Sequence, residues 1–517
     1  MANRLIVAFT AAVGLLLGGA CGQQGEPESD WTADVPHTGD VGAANLPVEI
    51  VPVTAPFAMP AFEKPSFPTL SLSIVETGAT EGEWSTAAIQ TAIDDVSARG
   101  GGRVLVPAGT WRTGRLVLKS NIELHLEEGA ELHFSADVAD YRPAVFTRNE
   151  GIELMSLGAC LYANGQSHIA VTGQGKLVGP GEGSVREQTM THDVIENVVP
   201  LEKPVAERIY EGHDGGIIFP PMMISAINCS DVYIEGVTIE NAAFWNVVPI
   251  YCDGVIIRGI TVNSVGIARG DGIDVESSRN VLIEYCTLNT GDDCFTIKAG
   301  RGEDGLRVNR PSENIVVRYC LAKRGHGGIT VGSETAGMVR NLYVHDCVFD
   351  GTGVGIRFKT RRPRGGGGEQ LYYERIRMNL EHTALRWDML GSAVHVGELA
   401  TDEPLPVTPL TPRFSNVDMK HLIIEQAAEF IKVDGIPESP LTGVTIRGVK
   451  ADTERLVRAK HMEQLVVQDA YLASQDTAMY FEDCQQIRFE RTVFNISGKE
   501  RPALQLTGHS TDIEVVN

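Results

Sequence analysis

The sequence predicts an all-β protein that folds as one parallel β-helix, a solenoid whose coils stack on one another. A nine-residue pattern with apolar residues at alternating positions recurs along the chain, which is typical of strands with one buried face. Its copies start 21 to 46 residues apart, as stacked units of a solenoid do, and no helix-length segment separates them. Glycine makes up 55 of 517 residues, an excess that suits many turns between short strands.

Each repeat begins at a polar residue or a glycine. The copies start at Asp231, Gly254, Asn280, Asn314, Asn341, Gln370, Asn416, Gly443, Gln464 and Gln486, with weaker copies at Asn121 and His168. This register predicts that several cysteines stack, because residues at equal positions in successive repeats lie on top of one another in neighbouring coils. Cys286, Cys320 and Cys347 each lie six residues after their repeat start. We expect buried, stacked thiols there, with disulfides between adjacent coils as the alternative.

Two segments outside the repeats have predicted roles. A solenoid needs a cap over its first coil, and residues 85–99 form the one amphipathic helix of the sequence, with Ser85 as a candidate N-cap and Gly100 to Gly102 after its end. The polar segment 180–216 interrupts the repeats. It is long enough to build a wall or lid beside the coils.

The N-terminus predicts export. Residues 1–21 combine one charge, Arg4, with an apolar run of signal-peptide length. Cys21 follows small residues, which resembles the lipidation site of bacterial lipoproteins; an ordinary cleaved signal is the alternative. Residues 22–66 are rich in Gly, Pro, Asp and Glu and read as a flexible linker, so the β-helix domain would span residues 67–517. We expect an exported monomer, held at the periplasmic or cell surface by a lipid or else secreted.

Composition excludes several classes of function. With 44 Lys+Arg against 67 Asp+Glu, the net charge is −23, which makes the chain a poor general ligand for nucleic acid. A hydrophobic content of 43% and a charged content of 21% exclude disorder for most of the chain.

One group of ionisable residues recurs at two neighbouring repeat positions over four consecutive coils. If the coils stack about 4.8 Å apart, these side chains form one patch on a side wall. They are Asp271, Asp274, Asp292, Asp293, His326, Arg357 and Lys359. A single histidine with carboxylates on strands does not make a zinc site, so we expect no metal and no cofactor.

The patch suits glycoside hydrolysis. One carboxyl group must protonate the leaving oxygen, and another must activate water. Crowded carboxylates raise the pKa of one of them, which keeps an acid protonated near neutral pH. The cations suit a substrate that carries carboxylates, and the run Arg357, Lys359, Arg361, Arg362 and Arg364 can reverse the overall negative field locally.

From about residue 75 to the C-terminus the sequence resembles glycoside hydrolase family 28, the polygalacturonases and their relatives. The resemblance rests on Gly291-Asp292-Asp293, Gly325-His326-Gly327 and Arg357-Phe358-Lys359, in the family's order and spacing. It implies a right-handed parallel β-helix that cleaves pectin with inversion. It also implies that Asp292 is the general acid, that Asp271 and Asp293 activate water, that His326 supports the carboxylates, and that Arg357 and Lys359 grip the galacturonate carboxylate.

The sequence departs from the family pattern at Arg269-Gly270-Asp271, where the family has Asn-Thr-Asp. Arg269, with a contact to a neighbouring acidic residue, and Asp274 are therefore further candidates for substrate binding. The insertion at 180–216 could block one end of the cleft, so we expect exo-action on pectic oligosaccharides or polysaccharides. A rhamnogalacturonan hydrolase of the same family is the main alternative. A β-helix lyase and a non-catalytic glycan-binding surface protein are less favoured, because paired aspartates with a histidine suit hydrolysis.

Overall fold

A computed structural model describes residues 31–189 and 195–516. The predicted signal peptide and the candidate lipidation site, Cys21, lie outside the described residues. In the part of the chain that the structure describes, no helix is long and apolar enough to cross a membrane.

The fold is a right-handed parallel β-helix, as predicted. Strands of successive coils pair in parallel and in register over three faces, and they enclose one continuous apolar core. From residue 321 onward, single strands bend from one face into the next. Those longer strands are Leu321–Gly332, Thr335–Lys359, Gly366–Asp388, Arg413–Asp434, Leu441–Lys460, Met462–Ser474 and Gln485–Ile496.

The shorter strands each belong to one face. The first face contains Ser71–Ser73, Gly102–Val106, Ile122–Leu126, Ser167–Gly173, Ser230–Glu235, Asp253–Arg258, Arg279–Glu284, Ser312–Arg318 and Thr511–Val516. The second face contains Gly109–Thr113, Ala130–Phe134, Lys176–Val178, Thr238–Glu240, Thr261–Asn263 and Thr287–Asn289. The third face contains Leu116–Val117, Ala159–Asn164, Met222–Ile227, Val247–Ile250, Ile273–Glu276, Phe295–Lys298, Ala478–Glu482 and Ala503–Thr507.

Helices and one hairpin decorate the solenoid. The antiparallel hairpin pairs Val145–Asn149 with Ile152–Ser156. The α-helices are Thr86–Ala98, Ser184–Glu187, Gly302–Val308 and Ala393–Val396. The 3-10 turns are Trp31–Asp34, Thr38–Asp40, Ala43–Asn45, Val138–Tyr141, Ile195–Asn197, Val205–Glu207, His213–Gly215 and Gly397–Leu399.

The repeat starts mark a left-handed turn at the entrance to the first face. Asn280, Asn314 and Asn341 have φ angles of 56°, 57° and 51°, a region where asparagine and glycine are least strained. Their side chains form a ladder: the Asn314 amide donates to Asn280 at 3.3 Å, and the Asn341 amide donates to Asn314 at 3.0 Å. The polar residue that opens each repeat is thus explained by backbone geometry.

The cysteine and cap predictions are confirmed in outline. The eight cysteines between residues 160 and 484 are free and buried. The cap helix Thr86–Ala98 buries Ile89, Ala92, Ile93 and Val96 against the first coil. The capping bond is not made, however: Ser85 precedes the helix, but its Oγ contacts the carbonyls of Thr80 and Glu83 instead of a helix N–H group.

Residues 31–66 differ from the predicted flexible linker, because they lie against the solenoid. Middle residues of the first-face strands point outward and are apolar over several coils, for example Leu282 and Val316, and the N-terminal segment covers them. Arg258 and Arg318 hold this segment by donating to its carbonyl groups, at 2.8 Å to Pro47 and 2.6 Å to Val51. An extended segment without its own hydrophobic period is ordered here because an apolar stripe needs a cover.

Candidate active site

The predicted patch forms on the third face, where the chain turns onto its strands. Asp271 precedes strand Ile273–Glu276, and Asp292 and Asp293 precede Phe295–Lys298, its neighbour in the sheet. One oxygen of each of the three aspartates lies within 4.8 Å of the others. The predicted stacking of these carboxylates is therefore what the structure shows.

Asp293 is the ionised anchor of the cluster. Its carboxylate is buried and accepts hydrogen bonds from Arg357 at 3.1 Å and from Lys359 at 2.9 Å. Burial alone would raise the pKa of Asp293, but the charges of Lys359 and Arg357 outweigh it and hold the pKa well below its usual range. Both cations that were predicted to grip a substrate carboxylate thus contact the aspartate cluster directly.

Asp292 is the most exposed of the three carboxylates. Its side chain is 24% exposed, and the exposed ring of His326 contacts it through Nδ1 at 2.9 Å. Burial raises the pKa of Asp292, but the His326 hydrogen bond and the Lys359 charge lower it to below its usual value. The same hydrogen bond raises the pKa of His326, so the pair favours a protonated imidazole beside an ionised carboxylate.

The pKa of Asp271 is shifted in the opposite direction to that of Asp292. Burial and the neighbouring charge of Asp274 raise its pKa well above the usual range, although Lys298 acts against them. Asp271 is therefore the carboxyl of the three that most readily holds a proton in the resting enzyme. The pKa values of Asp271 and Asp292 are thus shifted in opposite directions, so a proton held by the cluster rests on Asp271.

Asp274 is not a substrate-binding residue in this structure. Its side chain is fully buried, it accepts a hydrogen bond from Thr296, and it lies 3.0 Å from the Lys298 nitrogen. Burial raises its pKa to about 6, although Lys298 acts to lower it. Its place beneath the site suits a residue that positions Lys298.

The sequence analysis did not identify Lys298, the buried cation that lies among these carboxyl groups. Its nitrogen lies 3.4 Å from Asp271 and 3.6 Å from Glu334, and it sits 3.8 Å from the centre of the Trp245 ring. One feature of the sequence could have pointed to it. Lys298 ends a short strand that follows the aspartate pair, and the other side chains of that strand are apolar or carry a hydroxyl group. Such a position is buried on both sides once the coils stack.

Arg269 lies at the N-terminal end of the site and makes the predicted contact with an acidic residue. It pairs with Glu150 at 2.9 Å, and Glu150 also pairs with Arg301 at 3.0 Å. Glu150 stands at the turn of the hairpin 145–156, whose apolar side packs against Ile195 and Val199 of the insertion. We call the hairpin and the described part of the insertion the N-terminal wall, because they pack together and the hairpin reaches Arg269.

The arginine run after Lys359 is mostly structural, contrary to the expectation that it attracts substrate. Arg362 is buried against Glu438, and Arg364 is held by Ser333 and Glu334. Arg361 lies 3.6 Å from Asp388. Trp245, Tyr373 and Trp387 are all buried in cores, so none of these three rings offers a face to a sugar.

Comparisons with known proteins agree with the site. A family model described as "Glycosyl hydrolases family 28" matches residues 216–384, which hold all of the predicted catalytic residues. A probable polygalacturonase of Vitis vinifera is 26% identical over 392 residues, 73% of this chain and 74% of the relative. An exo-poly-alpha-D-galacturonosidase of Dickeya chrysanthemi is 27% identical over 57% of this chain, which spans about half of that relative (52%).

A solved structure supports the same conclusion. The hyperthermoactive exopolygalacturonase of Thermotoga maritima superposes with a TM-score of 0.64 and 27% identity, over 87% of this chain and 95% of that one. A β-helix lyase and a purely binding solenoid, the alternatives left open by the residues alone, do not account for these likenesses. Residues 216–384 thus match glycosyl hydrolase family 28, and the chain is a glycoside hydrolase.

Proposed function

We propose that the protein hydrolyses α-galacturonosidic bonds in pectin-derived polysaccharides or oligosaccharides. The observation that carries the proposal is the cluster of three aspartates within 4.8 Å, in contact with Arg357 and Lys359. Carboxyl groups supply the acid and base of glycoside hydrolysis, and the two cations suit a uronate carboxylate. The names of the relatives, polygalacturonase and exo-polygalacturonase, support the same substrate class.

In this proposal Asp292 protonates the leaving oxygen, because it is the most exposed of the three carboxylates. Its proton comes from the shared cluster, in which Asp271 holds a proton most readily. Asp293 and the ionised form of Asp271 orient the attacking water, and the Asp271 carboxylate takes up the proton of that water as the new C–O bond forms. His326 positions Asp292 through the 2.9 Å contact.

We also propose that hydrolysis inverts the configuration at the anomeric carbon. The distance between the carboxyl groups can be compared with that expected for an inverting enzyme. Inverting enzymes usually hold their carboxyl groups about 6.5 to 9.5 Å apart, whereas the oxygens here lie within 4.8 Å of one another. A water held by two carboxylates at ordinary hydrogen-bond lengths of about 2.8 Å still fits that gap. The resemblance to the family therefore supports inversion more strongly than the distance does.

Exo-action is part of the same proposal, and the N-terminal wall supports it. Arg269, Glu150 and Arg301 form a continuous ion-pair network there, and Arg301 is tied further to Glu196 of the insertion. A polymer that enters the cleft would meet this wall with its terminal sugar.

Two readouts from one digestion test these points. The protein is incubated with homogalacturonan, rhamnogalacturonan and galacturonate oligomers; product lengths are followed by chromatography and product anomers by NMR. We expect galacturonate oligomers as substrates, short products of one size from the first minutes, and inverted anomers. An early ladder of mixed oligomers would contradict exo-action, retained anomers would contradict inversion, and cleavage of rhamnogalacturonan alone would favour the alternative substrate.

We also propose that the protein is exported and anchored through Cys21, on the sequence evidence alone. Labelled fatty acid should be incorporated by the full chain and not by a Cys21→Ser variant. Equal labelling of the two would contradict the anchor.

A further inference from the structure

A row of cations extends from the catalytic site along the third face. Strand register places Arg386 beside Arg357, Lys432 beside Arg386, and Arg458 beside Lys432, one per coil. Neighbouring strands lie about 4.8 Å apart, so the four side chains follow the solenoid axis at that spacing. We call Arg357, Arg386, Lys432 and Arg458 the cation row.

The cation row is only partly neutralised by the protein. Arg386 pairs with Asp434, and Arg458 pairs with Glu429. Lys432 is half-buried, and within the described residues no ion pair to it is found. One buried nitrogen of Arg386, Nη1, also lacks a hydrogen-bond partner in the part of the chain that the structure describes. Like charges on directly paired strands destabilise a sheet, so the fold holds an arrangement that an anionic ligand would relieve.

A loop beside the cation row and an exposed aromatic side chain at its end suit a surface that binds a polymer. The longest repeat spacing, from Gln370 to Asn416, contains a loop that lies beside these coils. Arg362 donates to the loop carbonyls of Leu399 and Thr401 at 2.9 and 2.8 Å. At the next register position after Arg458 stands Tyr480, an aromatic side chain with 40% exposure, which offers a face for a sugar ring.

We propose that the cation row binds the carboxylates of successive uronate units on the side of the scissile bond away from the N-terminal wall. The inference rests on the proposed function and names the part of the substrate that the rest of the third face recognises. An extended polyuronate carries one carboxylate per sugar, and a pyranose unit is about as long as the spacing between coils. With the terminal sugar at the N-terminal wall, as in the proposed exo-action, the rest of the polymer continues along the axis over Arg386 and Lys432.

The test compares substrates of different length. Lys432→Met removes the unpaired cation of the row, and Lys450→Met, an exposed lysine on the second face, is the matched control. We expect the ratio of kcat/KM on polygalacturonate to kcat/KM on the galacturonate dimer to fall about two- to fivefold for Lys432→Met at low salt. The fall should shrink at high salt, and Lys450→Met should leave the ratio as it is in the wild type.

A binding measurement separates this inference from the proposed function. Migration of each protein through a native gel that contains polygalacturonate reports binding without catalysis. Stronger retardation of the wild type than of Lys432→Met, with Lys450→Met like the wild type, supports the row even if no substrate is cleaved. Equal retardation of all three proteins, or an unchanged length ratio for Lys432→Met, overturns it. Absence of cleavage on both substrates would count against the proposed function alone.

Discussion

Replacing Lys298 by methionine tests the electrostatic core of the site. The lysine is 5% exposed and lies within 3.0 to 3.6 Å of Asp271, Asp274 and Glu334. Methionine keeps much of the volume and the contact with Trp245 but leaves three buried carboxyl groups without their shared cation.

The expected loss of stability is large. Removing one partner of a buried ion pair costs about 3 to 5 kcal/mol, because a buried charge is left uncompensated. Lys298 lowers the pKa of Asp271 and of Asp274, so both pKa values rise further in the variant. A carboxyl whose pKa is raised by folding destabilises the native state once the pH exceeds its unfolded value. The loss should therefore be smaller at pH 5, below the Asp274 pKa of about 6, than at pH 8.

Urea unfolding at both pH values measures the effect. The control is Lys119→Met, which breaks a half-exposed pair with Asp94 at 2.7 Å and should cost at most about 1 kcal/mol. The electrostatic reasoning would be refuted if Lys298→Met unfolded within 1 kcal/mol of the wild type at both pH values, or if its loss were greater at pH 5.

Two further predictions concern the histidine and the N-terminal segment. His326→Gln removes the hydrogen bond that lowers the pKa of Asp292. The alkaline limb of kcat/KM, which reports the general acid, should then move to higher pH; a limb that stays in place or moves lower would show that Asp292 is not that acid. Leu282→Ala on the first face, fully buried under residues 31–66, should cost about 2 to 5 kcal/mol. Val466→Ala, the half-buried residue at the equivalent outward position, should cost about 1 kcal/mol or less, and equal losses for the two variants would contradict the covering role.

The repeat register was predictable because each coil uses the same local physics. Asn280 and Asn314 open their repeats since the turn there is left-handed, and alternation then fixes which side chains face the core. Counting residues from these starts was enough to predict that Asp271, Asp292 and His326 lie on one side of the solenoid. Equal and neighbouring repeat positions were sufficient for this prediction.

What the sequence left open depends on contacts between distant segments. Glu150 meets Arg269 through a hairpin inserted more than a hundred residues earlier, and no periodicity marks that meeting. The sequence did contain a sign that residues 31–66 pack against the solenoid. The middle residue of the strand pattern, which points outward, is apolar at Ile256, Leu282 and Val316. Three consecutive apolar residues in a strand require cover on both sides, which alternation alone did not suggest.

The most direct test of the central claim is the rate at which Asp292→Asn releases reducing ends from galacturonate oligomers, with Asp452→Asn, an exposed aspartate elsewhere on the coils, as the control. With circular dichroism showing an intact fold, we expect a loss of at least about a hundredfold for Asp292→Asn and a wild-type rate for the control. A rate for Asp292→Asn close to that of the wild type would contradict the assignment of this cluster as the hydrolytic centre.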